Sequence, residues 1–157
     1  MAISIDLQLV SDVPETLDLA PLQAMMAALV RRTEELGLPD GEVNLALIDD
    51  ETIRELNRDY SGNDYETDVL SFSYLETGGP IEDVIGEMAI SLETAARQAE
   101  KAHMTLGEEV ALLALHGILH IVGLDHQTTT EQNEMQELQR AIMSQAEVTY
   151  REFEWEE

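Results

Sequence analysis

Apolar and polar residues alternate with two different periods along the chain. Residues 3–9 carry an apolar side chain at every second position, which predicts a half-buried strand. Short apolar runs at 43–48, 69–72 and 84–90 predict three further strands, and a glycine-containing loop joins the last two. Together these segments predict one small sheet.

Helical periodicity fills most of the intervening segments. Residues 21–36 place apolar side chains on one stripe that ends at Gly37, which predicts one continuous helix. The other helix starts are marked by capping residues, namely Asp49 and Asp50, Ser91, Thr105 with Glu108, and Thr128 with Glu131. The first of these helices is expected to end at about Asn57. No element is assigned to the chain end, where Phe153 and Trp155 stand among glutamates.

The order of the elements is strand, helix, strand, helix, strand, strand and then three helices. This order predicts an α+β fold, in which helices pack over a small mixed four-stranded sheet. The length of 157 residues fits one domain, and neither a repeat nor a linker interrupts residues 1–157. Such a chain buries a sizeable core without a disulfide or a structural metal, so a bound metal is expected to serve chemistry.

The composition excludes several classes of protein. The absence of cysteine excludes disulfides, thiolate metal sites and a cysteine nucleophile. The start of the chain lacks the basic and apolar blocks of a signal peptide. The longest apolar region, residues 110–124, carries two histidines and is too short and too polar for a membrane span. We therefore expect a soluble cytoplasmic protein with no membrane partner.

The charge of the chain is strongly acidic, because 33 Asp and Glu against 8 Lys and Arg give a net charge of −25. This balance repels polyanions. It opposes general nucleic-acid binding, which depends on basic residues that meet phosphates. We expect no DNA partner, and an RNA contact has to be confined to a local basic patch.

Three histidines stand at metal-ligand spacing in the sequence HGILHIVGLDH, residues 116–126. His116 and His120 are four residues apart, so a helix places them on the same face. Gly123 can end that helix and let the chain turn back, which brings His126 toward the same ion. Three neutral nitrogen ligands leave a fourth position for water, which is typical of catalytic zinc. The alternative is that these are ordinary core histidines.

His103 and Asp125 are not among the three predicted ligands and have other interpretations. His103 lies outside the pattern and is expected to be a surface or capping histidine. Asp125 either orients a ligand from behind or is a solvated turn residue.

The same histidine spacing matches metzincin proteases. Those proteases have a glutamate directly after the first histidine as general base, and here that position is Gly117. Glycine cannot move protons, so the peptidase hypothesis lacks its base.

A second resemblance is closer and covers nearly the whole chain. The run HGILHIVGLDH, the segment LNRDYSGNDYETDVLSF at 56–72 and GEMAIS at 86–91 resemble the YbeY family of bacterial endoribonucleases. All three occur in the family's order. The resemblance implies a small α+β metalloprotein with one zinc ion per chain, held by His116, His120 and His126.

The resemblance also implies an activity and its setting. The activity would be zinc-dependent cleavage of single-stranded RNA in maturation of small-subunit ribosomal RNA and in ribosome quality control. The partners would be ribosomal RNA and the small ribosomal subunit or its proteins, in the bacterial cytoplasm. The general base stays unidentified, because metal hydroxide or the RNA's own ribose hydroxyl can serve as nucleophile.

One position departs from the family pattern, in which an arginine follows the tyrosine of the LNxxYR segment. Here that residue is Ser61. Candidate substitutes for binding substrate are Arg58, Arg97 and Lys101, although each also suits a solvated helix face beside acids. The missing arginine and the net charge of −25 keep open a non-catalytic, zinc-containing ribosome-assembly factor.

Overall fold

The computed structural model describes residues 3–10, 12–76, 78–79, 82–124 and 127–153. Four strands form one sheet in the order β1-β2-β4-β3. They are β1 (Ile3–Leu9), β2 (Gly41–Ile48), β3 (Val69–Ser73) and β4 (Val84–Ser91). β1 and β4 run parallel to β2, and β3 runs antiparallel to β4. The predicted α+β fold with a small mixed four-stranded sheet is therefore confirmed.

The helices begin where the capping residues predict. They are α1 (Ala20–Val30), α2 (Thr33–Leu36), α3 (Asp50–Ser61), α4 (Leu92–Ala102), α5 (Leu106–Ile121) and α6 (Thr129–Gln145). Side chains accept a hydrogen bond from the first turn at four N-caps, namely Asp49, Ser91, Thr105 and Thr128. Thr105 and Thr128 each form a complete capping box.

The prediction of one continuous helix over residues 21–36 is wrong. α1 ends at Val30, and α2 begins three residues later. The Thr33 hydroxyl donates to the carbonyl oxygen of Val30 at 2.5 Å. A side chain that takes a backbone acceptor in this way competes with the helical ladder. Gly37 then closes α2 in the left-handed conformation, as the sequence predicts.

α3 is longer than the sequence predicts and extends four residues past Asn57, to Ser61. Gly62 ends the helix at φ 75°. The buried side chain of Asn57 donates to the carbonyl oxygen of Tyr65 at 3.0 Å, which ties the following loop back to the helix. Ser61 therefore lies in the last turn of α3 rather than beyond the end of the helix, where the predicted end at Asn57 would place it.

The two faces of the sheet carry different helices. On one face, Gly117 of α5 packs against Met88 of β4 in the main core. On the other face, Ile53 of α3 packs with Ala89 of β4 in a second, smaller cluster. Because successive residues of a strand point to opposite faces, α3 and α5 lie on opposite sides of the sheet.

α5 is the central helix of the fold, and fourteen of its sixteen residues are buried. Its apolar sequence is therefore explained by its position in the core. Within the part of the chain that the structure describes, no single helix is both long and apolar enough to cross a membrane. α4 and α5 meet that length and hydropathy only together, across a bend of 111°.

Candidate metal centre

His116 and His120 lie one turn apart on α5. Their ring centroids are 4.7 Å apart, and the ring planes meet at 76°. His116 is 7% exposed, whereas His120 is partly exposed. The predicted placement of the two imidazoles on one helix face is confirmed.

The third predicted ligand, His126, and its neighbour Asp125 lie outside the described residues. The chain reaches them through Gly123, whose φ of 104° follows the end of α5. Among the residues that the structure describes, no group of three His, Asp or Glu side chains could hold a metal. The three-histidine site thus stays a prediction, of which the structure describes two members.

His116 has a buried partner in Gln139 of α6. Its Nδ1 lies 2.8 Å from Oε1 of Gln139, whose side chain is fully buried. An amide oxygen can accept but not donate, so this contact corresponds to the tautomer with the proton on Nδ1. Since Nδ1 is engaged, a metal held by this ring is bound through Nε2. An outer partner of this kind is the usual companion of a metal-ligating histidine.

The C-terminal arm, defined here as residues 148–153, covers the histidine. The ring of Phe153 packs on the His116 imidazole with centroids 4.4 Å apart and an interplanar angle of 32°. The Arg151 guanidinium lies 4.8 Å from the centroid of the Phe153 ring. An arginine, an aromatic ring and an imidazole thus lie in sequential contact.

Arg151 is anchored by Glu109, which is fully buried on α5. The Nε of Arg151 donates to Oε1 of Glu109 at 2.8 Å, and the Nη2 of Arg151 donates to Oε2 of Glu109 at 2.5 Å. Burial alone would lower the pKa of Arg151, but the hydrogen bonds and the charge of Glu109 raise that pKa above its ordinary value. The pair is a two-pronged ion pair, which is the geometry best suited to a buried charge.

A polar chain continues from Arg151 to the segment of the sequence that carries TDVLSF. Arg151 Nη2 donates to Oε1 of Gln98 at 3.3 Å, and Nε2 of Gln98 donates to Oδ2 of Asp68 at 3.3 Å. Asp68 also accepts from the backbone N–H of Val69, at 2.7 Å. These contacts connect the TDVLSF segment, through Gln98 of α4, to Arg151 of the C-terminal arm. The same arm reaches the histidine motif through the contact of Phe153 with His116.

The predicted substrate-binding cations lie elsewhere, and the two arginines among them are paired. Arg58 contacts Asp59 at 3.2 Å on α3, with 53% of its side chain exposed. Arg97 contacts Asp50 at 2.9 Å, and Lys101 is exposed in the last turn of α4. The structure does not join Arg58 to the histidines, because α3 covers the opposite face of the sheet.

Asp50 joins α3 to α4 as well as pairing with Arg97. It accepts from the hydroxyls of Ser91 and Thr94, each at 2.6 Å. Burial alone would raise the pKa of Asp50, but these hydrogen bonds and Arg97 hold it below its ordinary value. The carboxylate that neutralises Arg97 is thus also a structural group.

Gly117 has a packing role. A Cβ built at this position would lie 2.4 Å from the sulfur of Met88 and 3.5 Å from Val69. α5 approaches the sheet this closely because residue 117 has no side chain. A metzincin-type glutamate therefore cannot be accommodated without moving Met88.

His103 is an exposed C-cap of α4 in the left-handed conformation, at φ 59°. The predicted surface or capping role is therefore confirmed.

Sequence reasoning missed four residues around His116. They are Gln139, Phe153, Glu109 and Arg151. The one available signal was the aromatic pair of Phe153 and Trp155 among glutamates, since an apolar ring near a chain end often docks on the core. Gln139 gave no signal, because a polar helical residue normally faces solvent.

The sequence model of the endoribonuclease YbeY family matches residues 11–147. The chain belongs to the endoribonuclease YbeY family. Curated relatives include the endoribonuclease YbeY of Sulfurihydrogenibium, which is 47% identical over 97 residues. That match covers 62% of this chain and 64% of the relative. The endoribonuclease YbeY of Thermus thermophilus is 41% identical over 124 residues, which cover 78% of this chain and 87% of the relative.

A solved structure shares the fold. The solution structure of a Thermotoga maritima protein matches with a TM-score of 0.59 and 27% identity. The match covers 90% of this chain and 89% of that protein. Family membership supports an endoribonuclease role for the chain, and an endoribonuclease has RNA as its substrate.

Proposed function

We propose that this chain is a zinc-dependent endoribonuclease that cleaves single-stranded RNA. One ion per chain would be held by His116, His120 and His126. The observation that carries the proposal is the pair of adjacent imidazoles on α5, in a member of an endoribonuclease family. The ribosomal setting of the family resemblance extends the proposal to small-subunit ribosomal RNA maturation and ribosome quality control in the cytoplasm.

The residues present fit a zinc ion. The buried His116 has its Nδ1 in contact with Gln139, so Nε2 is the nitrogen that this ring can present to an ion. Neutral imidazole nitrogens are good zinc ligands, and three of them leave one coordination position open. When bound in this way, zinc acts as a Lewis acid that lowers the pKa of water toward ~7.

The chain's own residues contribute positioning and charge. Gln139 orients His116, and the C-terminal arm covers the ring on one side. Arg58, Arg97 and Lys101 are the proposed contacts to RNA phosphates. Because Asp59 and Asp50 already pair with the two arginines, a phosphate has to compete with a carboxylate at each. We therefore expect weak and strongly salt-dependent binding of RNA.

The test is single-turnover cleavage of a defined single-stranded RNA, with and without a chelator. Parent protein should cleave, and both chelator and the His120→Ala substitution should stop cleavage. Zinc content measured on the same samples should fall in His116→Ala, His120→Ala and His126→Ala. Full zinc content in all three variants would contradict the proposed ligands.

The paired arginines favour a second candidate, a non-catalytic zinc-containing assembly factor for the small ribosomal subunit. This candidate predicts zinc binding and association with ribosomal subunits, but no chelator-sensitive cleavage of RNA by the parent protein. The cleavage assay therefore separates the two.

A peptidase has less support. Gly117 offers no base, and a side chain at this position would have to displace Met88. We expect no chelator-sensitive cleavage of unfolded casein. Proteolysis that disappears in His116→Ala would reverse this conclusion.

A further inference from the structure

The C-terminal arm begins one residue past the last position that the family model matches, which is residue 147. The backbone N–H of Thr149 donates to Glu108 at 3.1 Å. Two residues on, Arg151 forms its two hydrogen bonds with Glu109. The arm is thus attached to α5 at two consecutive residues of the helix.

From these attachments the arm extends along α5 to the histidine. Between Glu108 and His116 the helix rises about 12 Å, at ~1.5 Å per residue. The four steps from Thr149 to Phe153 span about 13 Å in an extended chain, at ~3.3 Å per residue. The two lengths agree, so the arm delivers the Phe153 ring to the level of His116, where the two rings are in contact.

α6 fixes the end of the arm independently of Arg151. The side-chain amide of Gln136 donates to the carbonyl oxygen of Phe153 at 2.8 Å and accepts from its N–H at 3.3 Å. The Tyr150 hydroxyl donates to the same amide oxygen. A backbone held from both its donor and its acceptor has little freedom to rotate, so the Phe153 ring is held against His116.

His116 is therefore restrained from two directions. Gln139, one turn after Gln136 on α6, accepts a hydrogen bond from Nδ1 of His116, and Phe153 packs on the imidazole ring. We propose that the C-terminal arm is a positioning element of the metal centre, which together with Gln139 holds His116 in the tautomer and orientation that present Nε2 to the ion. This inference rests on the metal site proposed above.

The physical reason is the cost of organising a ligand. An imidazole on a helix can rotate about two side-chain bonds and exchange tautomers, and metal binding has to select one arrangement. Restraints that exist before the metal binds reduce the conformational entropy that the imidazole loses on binding. Outer partners of ligating histidines typically change metal affinity 10- to 100-fold. The buried Arg151–Glu109 pair makes the restraint durable, since breaking it would strand a charge in the core.

The test measures zinc affinity of the full chain by competition with a chromophoric chelator. Gln139→Leu and Phe153→Ala should each weaken zinc binding about tenfold. Phe153→Tyr keeps the ring and should retain parent affinity. Phe153→Leu keeps the apolar packing without the planar ring, so it should fold and still bind zinc more weakly.

The matched control is the chain's other phenylalanine. Phe72 is also partly buried, but its ring pairs with Tyr60 on the α3 side of the sheet, 5.4 Å between centroids. Phe72→Ala should leave zinc affinity unchanged. Equal losses in Phe72→Ala and Phe153→Ala would overturn the positioning role, because both would then reflect general stability.

A second readout needs no metal. Nitrogen-15 spectra of the imidazole in metal-free protein should show the Nδ1–H tautomer of His116 in the parent and a mixture in Gln139→Leu. If Phe153→Ala binds zinc like the parent while His116→Ala loses it, the arm has no positioning role and the metal site stands. If His116→Ala retains zinc, the metal site itself is wrong and this inference falls with it.

Discussion

On one side of the sheet, His116 is 7% exposed among α5, α6 and the C-terminal arm. On the other side, Arg58 stands on α3 with 53% of its side chain in solvent. The first region is restrained by contacts between distant parts of the chain. The second is an exposed surface, on which Arg58 faces Asp59.

The difference follows from what each region has to do. A metal ligand gains affinity when it is oriented before the metal arrives, and burial with satisfied hydrogen bonds provides that. A cation that meets RNA has to remain in solvent, where it exchanges partners. The acidic composition fills that solvent side with carboxylates. The proposed metal ligand His116 is thus restrained by its neighbours, whereas the proposed RNA contact Arg58 is exposed and already paired with an acid.

The largest expected effect comes from adding a cation at Ser61, which is exposed in the last turn of α3. In the family pattern an arginine here would stabilise phosphate charge, and one such group is worth ~3 kcal/mol, or about a hundredfold in rate. α3 covers the face of the sheet opposite His116, so a cation here acts only if the bound RNA passes around the sheet edge to the end of α3. In that case Ser61→Arg should raise the single-turnover cleavage rate about a hundredfold. Arg58, three residues earlier on the same helix face, is the competing source of that charge.

Two further variants separate these sources. If Arg58 already supplies the charge, Ser61→Arg changes little and Arg58→Ala abolishes cleavage. No effect from either substitution would exclude this segment from the reaction and would favour the assembly factor.

The packed side should lose stability when one methyl group is added. Gly117→Ala places a Cβ 2.4 Å from the Met88 sulfur, and we expect a loss of about 2 kcal/mol in the free energy of unfolding. Gly107→Ala should cost more, because its Cβ would lie 2.0 Å from the backbone oxygen of Asp18. Urea unfolding measures both.

The control on the exposed side is Glu55→Ala on α3, which should stay within about 0.5 kcal/mol of the parent. Equal stability of Gly117→Ala and Glu55→Ala would mean that the Met88 side chain moves aside at little cost.

Asp50 offers a way to change the contact between α3 and α4 and to release Arg97. Its pKa is lower in the folded protein than in the unfolded chain, because of Ser91, Thr94 and Arg97. Its contribution to stability is therefore present above the unfolded pKa of ~4 and is lost as the pH falls through the folded pKa. Asp50→Asn should lower the free energy of unfolding by about 1–2 kcal/mol at neutral pH, and the difference should shrink in acid.

The same substitution releases Arg97, so affinity for single-stranded RNA should rise while stability falls. Asp59→Asn, which changes an exposed pair, should alter stability little. A loss in Asp50→Asn that does not depend on pH would show that the carboxylate's charge is not what holds α3 to α4.

The smallest effect is expected from removing cations. Arg58→Ala, Arg97→Ala and Lys101→Ala together should weaken RNA binding a few-fold. They should also reduce the slope of log affinity against log salt by roughly 0.7 for each cation that contacts a phosphate. Arg31→Ala, at the exposed end of α1, is the control and should leave the slope unchanged. A triple variant with the parent's slope would place RNA elsewhere on the protein.

Local rules were enough for much of the fold. The side chains of Thr105 and Thr128 mark their helix starts through hydrogen bonds to residues only three positions along the chain. Local rules failed at Thr33, where a side-chain hydrogen bond to the backbone replaced the continuing helix. They also failed at the end of α3, where the helix continued without an apolar signal. The four-residue spacing of His116 and His120 likewise needed no tertiary information.

By itself, the sequence determined the order of the elements, the helix starts and the shared face of two histidines, because each depends on residues a few positions apart. The tertiary structure decided which nitrogen of His116 can meet a metal and what covers its ring. The contact of His116 with Gln139 joins residues 23 positions apart, and the Arg151–Glu109 pair that anchors the arm joins residues 42 positions apart. Such partners are chosen by how helices and arm pack together, and no local period encodes that choice.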